Sequence, residues 1–101
     1  MLAEFTIFPI GKDVSLSKYV ARSLKLIDES GLPYRTNPMG TVVEGSWDEV
    51  MELIKKCHMA ILEDNERVSS SIKIDDRKGI TNALDRKIKS VEKKVGRELR
   101  K

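Results

Sequence analysis

YRTNPMGTVVEG, residues 34–45, contains two short extended runs, Tyr34–Met39 and Thr41–Glu44, joined around Gly40 closely enough to make a hairpin. After one intervening helical pattern, RVSSSIKIDDR, residues 67–77, sets Val68, Ile72 and Ile74 against Ser69, Ser71, Lys73 and Asp75. That two-residue period belongs to a strand with one dry and one wet face. Both stretches carry polar side chains where a structural core needs none. Thr36, Asn37, Thr41, Glu44, Ser69, Ser71, Lys73 and Asp75 are therefore expected together on one polar sheet surface, suited to a small polar ligand or a subunit contact.

Working outward, LAEFTIFPI at residues 2–10 is rich in Phe, Ile and Thr and ends at Pro9 and Gly11, which reads as the first strand. Ser15 or Ser17 can cap the helix that follows. Leu16, Val20, Leu24 and Ile27 recur there at helical spacing, and Gly31 with Pro33 stops it near Ser30. Ser46 and Glu49 have capping-box spacing ahead of a second helix whose buried stripe is Val50, Ile54, Cys57 and Ile61. The turn at residues 63–66 leads into the fourth strand. The order is β-α-β-β-α-β, and two such right-handed units fold into a four-stranded antiparallel sheet with both helices on one face. The expected class is thus α+β and ferredoxin-like, a single domain with its core in residues 2–77. A third helix, over residues 80–99, follows. Its narrow stripe of Leu84, Ile88, Val91, Val95 and Leu99 is too thin for a core of its own, which predicts packing on the domain or on another subunit.

The chain has 101 residues, enough for one core. Its lone cysteine, Cys57, excludes an internal disulfide, and no apolar run approaches the roughly 20 residues that span a bilayer. Nor is a signal peptide expected, since no basic segment precedes an apolar one at the start. A cytoplasmic protein without membrane attachment is the expectation. Residues 1–76 hold 9 basic and 13 acidic side chains while residues 77–101 hold 10 and 3, so the body is −4 and the tail +7. The tail lacks an aromatic residue for base stacking, which favours docking on an acidic surface over nucleic-acid binding.

Candidate chemistry is sparse. Cys57 and His58 are adjacent on a helix and diverge by roughly 100°, so they do not form a nucleophile and base pair. His58 has no second His or Cys at ligand spacing, and no metal or cofactor is expected. Glu44, Asp75 and Asp76 offer carboxylates, but nothing in the spacing brings two of them to a working separation. No catalytic residues are assigned. Trp47 reads as the apolar lid of a helix start, with ring stacking on a ligand as the sharper role, and Lys73 guards a strand edge.

Three runs together, SLSKYVARSLKLIDESGLPYRTNPMGTVVEG from Ser15, SWDEVMELIKK from Ser46 and ERVSSSIKIDDR from Glu66, resemble the small thiamine-binding, YkoF-like proteins. The resemblance covers residues 3–95, and its carriers are SGLPY, P-M-x-T-x-x-E-G and R-V-x-S-x-I-K-I-D-x-R. It implies a ferredoxin-like fold, homo-oligomers that are dimers or dimers of dimers (a homotetramer), and binding of thiamine or its hydroxymethylpyrimidine part without chemistry. Under that implication Glu44 accepts from the pyrimidine amino group or balances the thiazolium. Thr36, Asn37 and Thr41 hydrogen-bond ring nitrogens, and Tyr34, Met39 or Trp47 covers a ring face. Lys73 and Asp75 complete the polar surface, and Arg67 and Arg77 are candidate anion contacts. The competing readings are a regulatory or scaffold oligomer that senses another metabolite and an RNA-binding module. The second is disfavoured because no RNP1-like run is present.

Overall fold

The computed structural model describes residues 1–11, 16–79 and Leu84. Its elements run β1 Leu2–Pro9, α1 Leu16–Glu29, β2 Tyr34–Asn37, β3 Gly40–Glu44, α2 Trp47–Leu62 and β4 Val68–Asp75. The sheet order is β2-β3-β1-β4 with every neighbouring pair antiparallel, which is the ferredoxin-like arrangement. Apart from Leu84, the helix expected over residues 80–99 lies outside the described residues, as does Ser15.

The register assigns each strand residue to a face. Ala3 stands between Val43 and Ile74, and Phe5 between Thr41 and Ile72, so these residues share the face that the helices cover. Ala3, Phe5 and Val43 pack there with Ile27 of α1 and Val50, Leu53, Ile54 and Cys57 of α2 to form the core. Leu2, Glu4, Val42, Arg35 and Lys73 belong to the other face.

Local chemistry accounts for the element ends. Ser46 accepts from the Glu49 backbone N–H while the Glu49 carboxylate accepts from the Ser46 N–H, closing the expected capping box on α2. Gly31, at φ 76°, ends α1 in the left-handed region that a side chain disfavours. The β2–β3 turn lies earlier than the sequence reading around Gly40, with Pro38 and Met39 as its two central residues and Gly40 already the first residue of β3. Pro38 presets the first turn dihedral, and Asn37 Oδ1 accepts from the Met39 N–H at 2.8 Å. A Cβ on Gly40 would come within 3.0 Å of the Thr6 methyl and 3.3 Å of the Phe5 carbonyl, so glycine lets this hairpin lie close to β1.

The stripe on α2 is as expected, with Leu53 added, but the one on α1 is rotated. Tyr19 and Ile27 are its buried residues, whereas Leu16 and Val20 are exposed. The helix docks through the row Tyr19, Ser23 and Ile27, which has the same four-residue spacing and competes with the more apolar row beside it. Arg22 fastens this helix to the end of α2, donating to the Ala60 carbonyl at 3.0 Å and to Asp64 at 2.9 Å. His58 Nδ1 lies 2.6 Å from Ser70 Oγ and joins α2 to β4.

Candidate functional site

Where β1 ends, the β2–β3 turn and one side of α1 from Leu16 to Ile27 converge on a cavity of about 430 Å³, within the size range of small-molecule sites. Its sheet side is built from Phe5, Ile7, Pro9, Thr36 and Thr41, and its helix side from Tyr19, Ser23, Leu24 and Ile27. Phe8, Leu16, Val20 and Met39 also line it and are exposed, Met39 by 84%. Large apolar side chains in water are ordinary singly, but here they gather at one opening.

The polar side chains of the lining include the hydroxyls of Thr6, Ser23, Thr36 and Thr41 and the Asn37 amide. Thr36 Oγ1 and Thr41 Oγ1 lie 3.1 Å apart across the β2–β3 pair, so one donates to the other and the second proton of the pair remains for a further acceptor. Ser23 supplies another hydroxyl from the helix side. Its Oγ is buried and has no hydrogen-bond partner. A hydroxyl left that way costs about 1–3 kcal/mol. None of the described lining residues is charged.

Two other hollows among the described residues differ in kind. On the open sheet face about 550 Å³ is bounded by Leu2, Glu4, Arg35, Val42, Lys73, Ile74, Asp75 and Leu84, with two cations and two carboxylates among them. Between the helices, about 390 Å³ is bounded by Glu29, Glu49, Glu52 and Lys56 with four smaller or apolar neighbours. No three metal-ligating side chains cluster among the described residues.

The structure divides the residues singled out in the sequence. Thr36, Asn37, Met39 and Thr41 come together at the neutral cavity, while Lys73 and Asp75 sit at the charged hollow on the open face. The expectation of one shared polar surface is corrected: Thr36 and Thr41 pair with each other on the covered face, and Thr41 is 7% exposed. Adjacent strand residues point to opposite faces, so Thr36 and Asn37 cannot share one. Glu44 is 9% exposed and opposite Leu2. It stands three residues along β3 from Thr41, roughly 10 Å away, and on the other face. Gly45 beside it approaches Leu32 and Val50, with a Cβ position 3.3 Å from each.

Tyr34 is held at the same distant end of the sheet, its phenol donating to Asp28 at 3.1 Å. That hydrogen bond, together with the carboxylate charge, raises the phenol pKa. Trp47 is 55% exposed at the start of α2 and does not serve as a packed lid. Arg67 and Arg77 flank β4 at opposite ends, separated by an eight-residue strand of roughly 25 Å. A single small anion does not bridge them. Cys57 is buried, which pushes its thiol pKa up to about 11. Ser23 was not singled out from the sequence, although a hydroxyl four residues from both Tyr19 and Ile27, in the middle of a buried row, is a readable signal.

Fold and cavity together define a ferredoxin-like α+β protein with a neutral, hydroxyl-bearing pocket between helix and sheet. Residues 3–92 match the family model described as thiamine-binding protein, and the chain belongs to that family. Among its relatives, the UPF0045 protein MJ1052 of Methanocaldococcus jannaschii is 43% identical over 91 residues, 90% of this chain and 91% of the relative. The crystal structure of that protein matches with a TM-score of 0.81 over 89% of this chain and 93% of its own. The UPF0045 protein YqgV of Bacillus subtilis is 36% identical over 98 residues, 91% of this chain and 94% of the relative. A Thermotoga maritima protein, described provisionally as a thiamine biosynthesis/salvage protein, is 22% identical and shares the fold, with a TM-score of 0.75 over 88% of this chain and 96% of that one.

Proposed function

We propose that this chain binds thiamine or its hydroxymethylpyrimidine part without transforming it, and that the pyrimidine ring occupies the cavity between α1 and the sheet. The observation that carries the reading is the lining: uncharged, apolar at the opening and supplied with hydroxyls inside. A neutral ring with in-plane acceptors is matched to such a site, whereas a permanent cation would lose its hydration there without a counter-charge. The thiazolium of thiamine therefore stays at the opening, against Met39, Leu16 and Val20. Membership of the thiamine-binding family supports the ligand class.

In this reading Thr41 and Thr36 hold the ring from the sheet, Asn37 shapes the turn at the rim, and Glu44 is too distant to balance the ligand's charge. The protein acts in the cytoplasm as a homo-oligomer, a dimer or dimer of dimers. The described helices agree with this placement in that none is long and apolar enough to cross a membrane. Titration calorimetry with hydroxymethylpyrimidine and thiamine tests the ligand, and mass analysis of the recovered ligand tests the absence of turnover. Saturable binding that Thr41→Val weakens about fivefold is expected, from the loss of about 1 kcal/mol of hydrogen bonding. Equal affinity in Thr41→Val and Glu44→Gln, or a ligand returned chemically changed, would refute the reading.

A further inference from the structure

We propose that the C-terminal segment of this chain covers one end of its own sheet. Residues 84–95 cross the face away from α1 and α2 as a helix, with Leu84, Ile88, Val91 and Val95 turned toward the row Asp75, Leu2 and Glu44. The inference is independent of the ligand reading, since it concerns the face opposite the neutral cavity.

Burial on that face is uneven, and the unevenness locates the cover. Leu2 and Glu44 stand opposite each other in the register and are only 7% and 9% exposed. Leu2 nevertheless lies outside the core cluster that the helices make with the other face. Two residues further along the strands, Lys73, Glu4 and Arg35 are exposed and Val42 is half-buried. Helices on the far side of a sheet do not shield this side from water, so one end of the face is dried by something else.

Leu84 identifies it. This residue is helical and half-buried, and it borders the hollow on this face together with Leu2, Val42 and Asp75. The chain leaves β4 at Asp75, in register with Leu2, and Gly79 at φ 76° supplies a left-handed turn on the way back over the same end. From there the sequence continues the apolar stripe at helical spacing through Ile88, Val91 and Val95. A helix rises about 16 Å between Leu84 and Val95. Four paired strands measure about 14 Å from first to last. The stripe is therefore long enough to cross the sheet once.

Charge favours the same occupant, because residues 1–76 carry −4 and residues 77–101 carry +7. In the proposed helix Lys87 and Lys94 flank the stripe on one side and Asp85 and Glu92 on the other. The sheet offers both signs to meet them, carboxylates in the covered row and the cations Lys73 and Arg35 in the next. A carboxylate as buried as Glu44 is tolerated where a cation or donor meets it. Seated in this way, the segment closes one end of the sheet to other macromolecules and leaves the charged hollow as a groove along its edge.

The test is a nuclear Overhauser measurement on the full chain with its isoleucine, leucine and valine methyls labelled. Contacts from the Leu2 methyls to those of Ile88 and Val91 are expected. After refolding with an excess of unlabelled, deuterated chain they are expected to keep their full intensity, since both partners belong to one chain. Val91→Asp, which puts a carboxylate into the stripe, should abolish these contacts, shift the Leu2 methyl resonances and lower Tm. Lys93→Gln, on the opposite side of the helix, should leave all three unchanged. Contacts that fade on dilution with unlabelled chain would overturn the proposal and make a second copy the cover. It is equally overturned if Leu2 touches neither Ile88 nor Val91, or if Val91→Asp leaves the Leu2 resonances where they were.

Discussion

The two faces of this sheet are built from alternate residues of the same four strands, yet they hold opposite kinds of cavity. Under the helices, Phe5, Ile7, Thr36 and Thr41 join α1 around a neutral hollow whose described polar side chains are hydroxyls and one amide. On the other side, Glu4, Arg35, Lys73 and Asp75 surround a hollow with charges of both signs. Solvation explains the difference. The covered face is dry enough that each charge would need a partner, so it admits only small neutral polar groups, while on the other face Glu4, Arg35, Lys73 and Asp75 are exposed to water and Glu44 is buried. A ligand recognised by hydrogen bonds belongs to the first, and a contact governed by charge belongs to the second.

Neighbouring valines on β3 give the strongest way to break this contrast. Val43 is fully buried on the covered face and Val42 lies on the open one. Val43→Asp should cost at least about 4 kcal/mol in denaturant unfolding by burying an unpaired charge. Val42→Asp should cost about 1 kcal/mol, the scale of strand preference alone. Equal losses would mean that the open face is as dry as the covered one.

Alkaline unfolding sharpens the same point through Cys57 beneath the covered face. The unfolded thiol ionises near 9.0 and burial raises the folded value to about 11, so between those values the folded state holds the extra proton. Stability is then complete below pH 9.0 and falls as pH rises toward 11, by about 2–3 kcal/mol in total. Cys57→Ala should remove this part of the slope in chemical denaturation curves recorded across the window. An unchanged slope would place water beside the thiol.

Smaller effects probe how the helices are held over that face. Ser46→Ala removes the hydroxyl half of the capping box on α2 and should lower stability by about 1 kcal/mol, with Ser46→Asp restoring most of it. The Glu49 half is pH-sensitive. Backbone and side-chain hydrogen bonds to Ser46 hold its carboxyl below the usual value of 4.5, so its contribution is present above that pH and fades as pH falls. The exposed Arg22–Asp64 pair should matter least, with Asp64→Asn costing no more than about 0.5 kcal/mol in thermal unfolding and less in high salt.

Much of the fold was legible because its signals are local. The Ser46–Glu49 box and the α2 row from Val50 to Ile61 each fall within one element, and both stand in the structure; β4 is a strand as read, but its expected dry face is not dry, since Ile72 and Ile74 are exposed on this edge strand. The site was only partly legible. Thr36 and Asn37 are adjacent and were grouped by polarity, although strand geometry sends their side chains to opposite faces. On α1 the more apolar row, Leu16 to Ile27, was preferred over the row through Tyr19 and Ser23 that docks. Single-helix periodicity ranks rows by hydrophobicity, whereas docking selects the row whose shape fits the sheet, and Leu16 and Val20 are left exposed at the cavity opening.

By itself the sequence determined the element order, the caps, the α2 core row and the family, since each depends on the spacing of residues within a short run or on the pattern of the whole. Only the tertiary structure decided that Thr41 joins α1 residues around a neutral cavity while Glu44, three residues on, lies across the sheet from it. That choice depends on which sheet face the helices cover and on the rotation of α1 about its axis. Both are set by packing among distant segments, which no local pattern encodes.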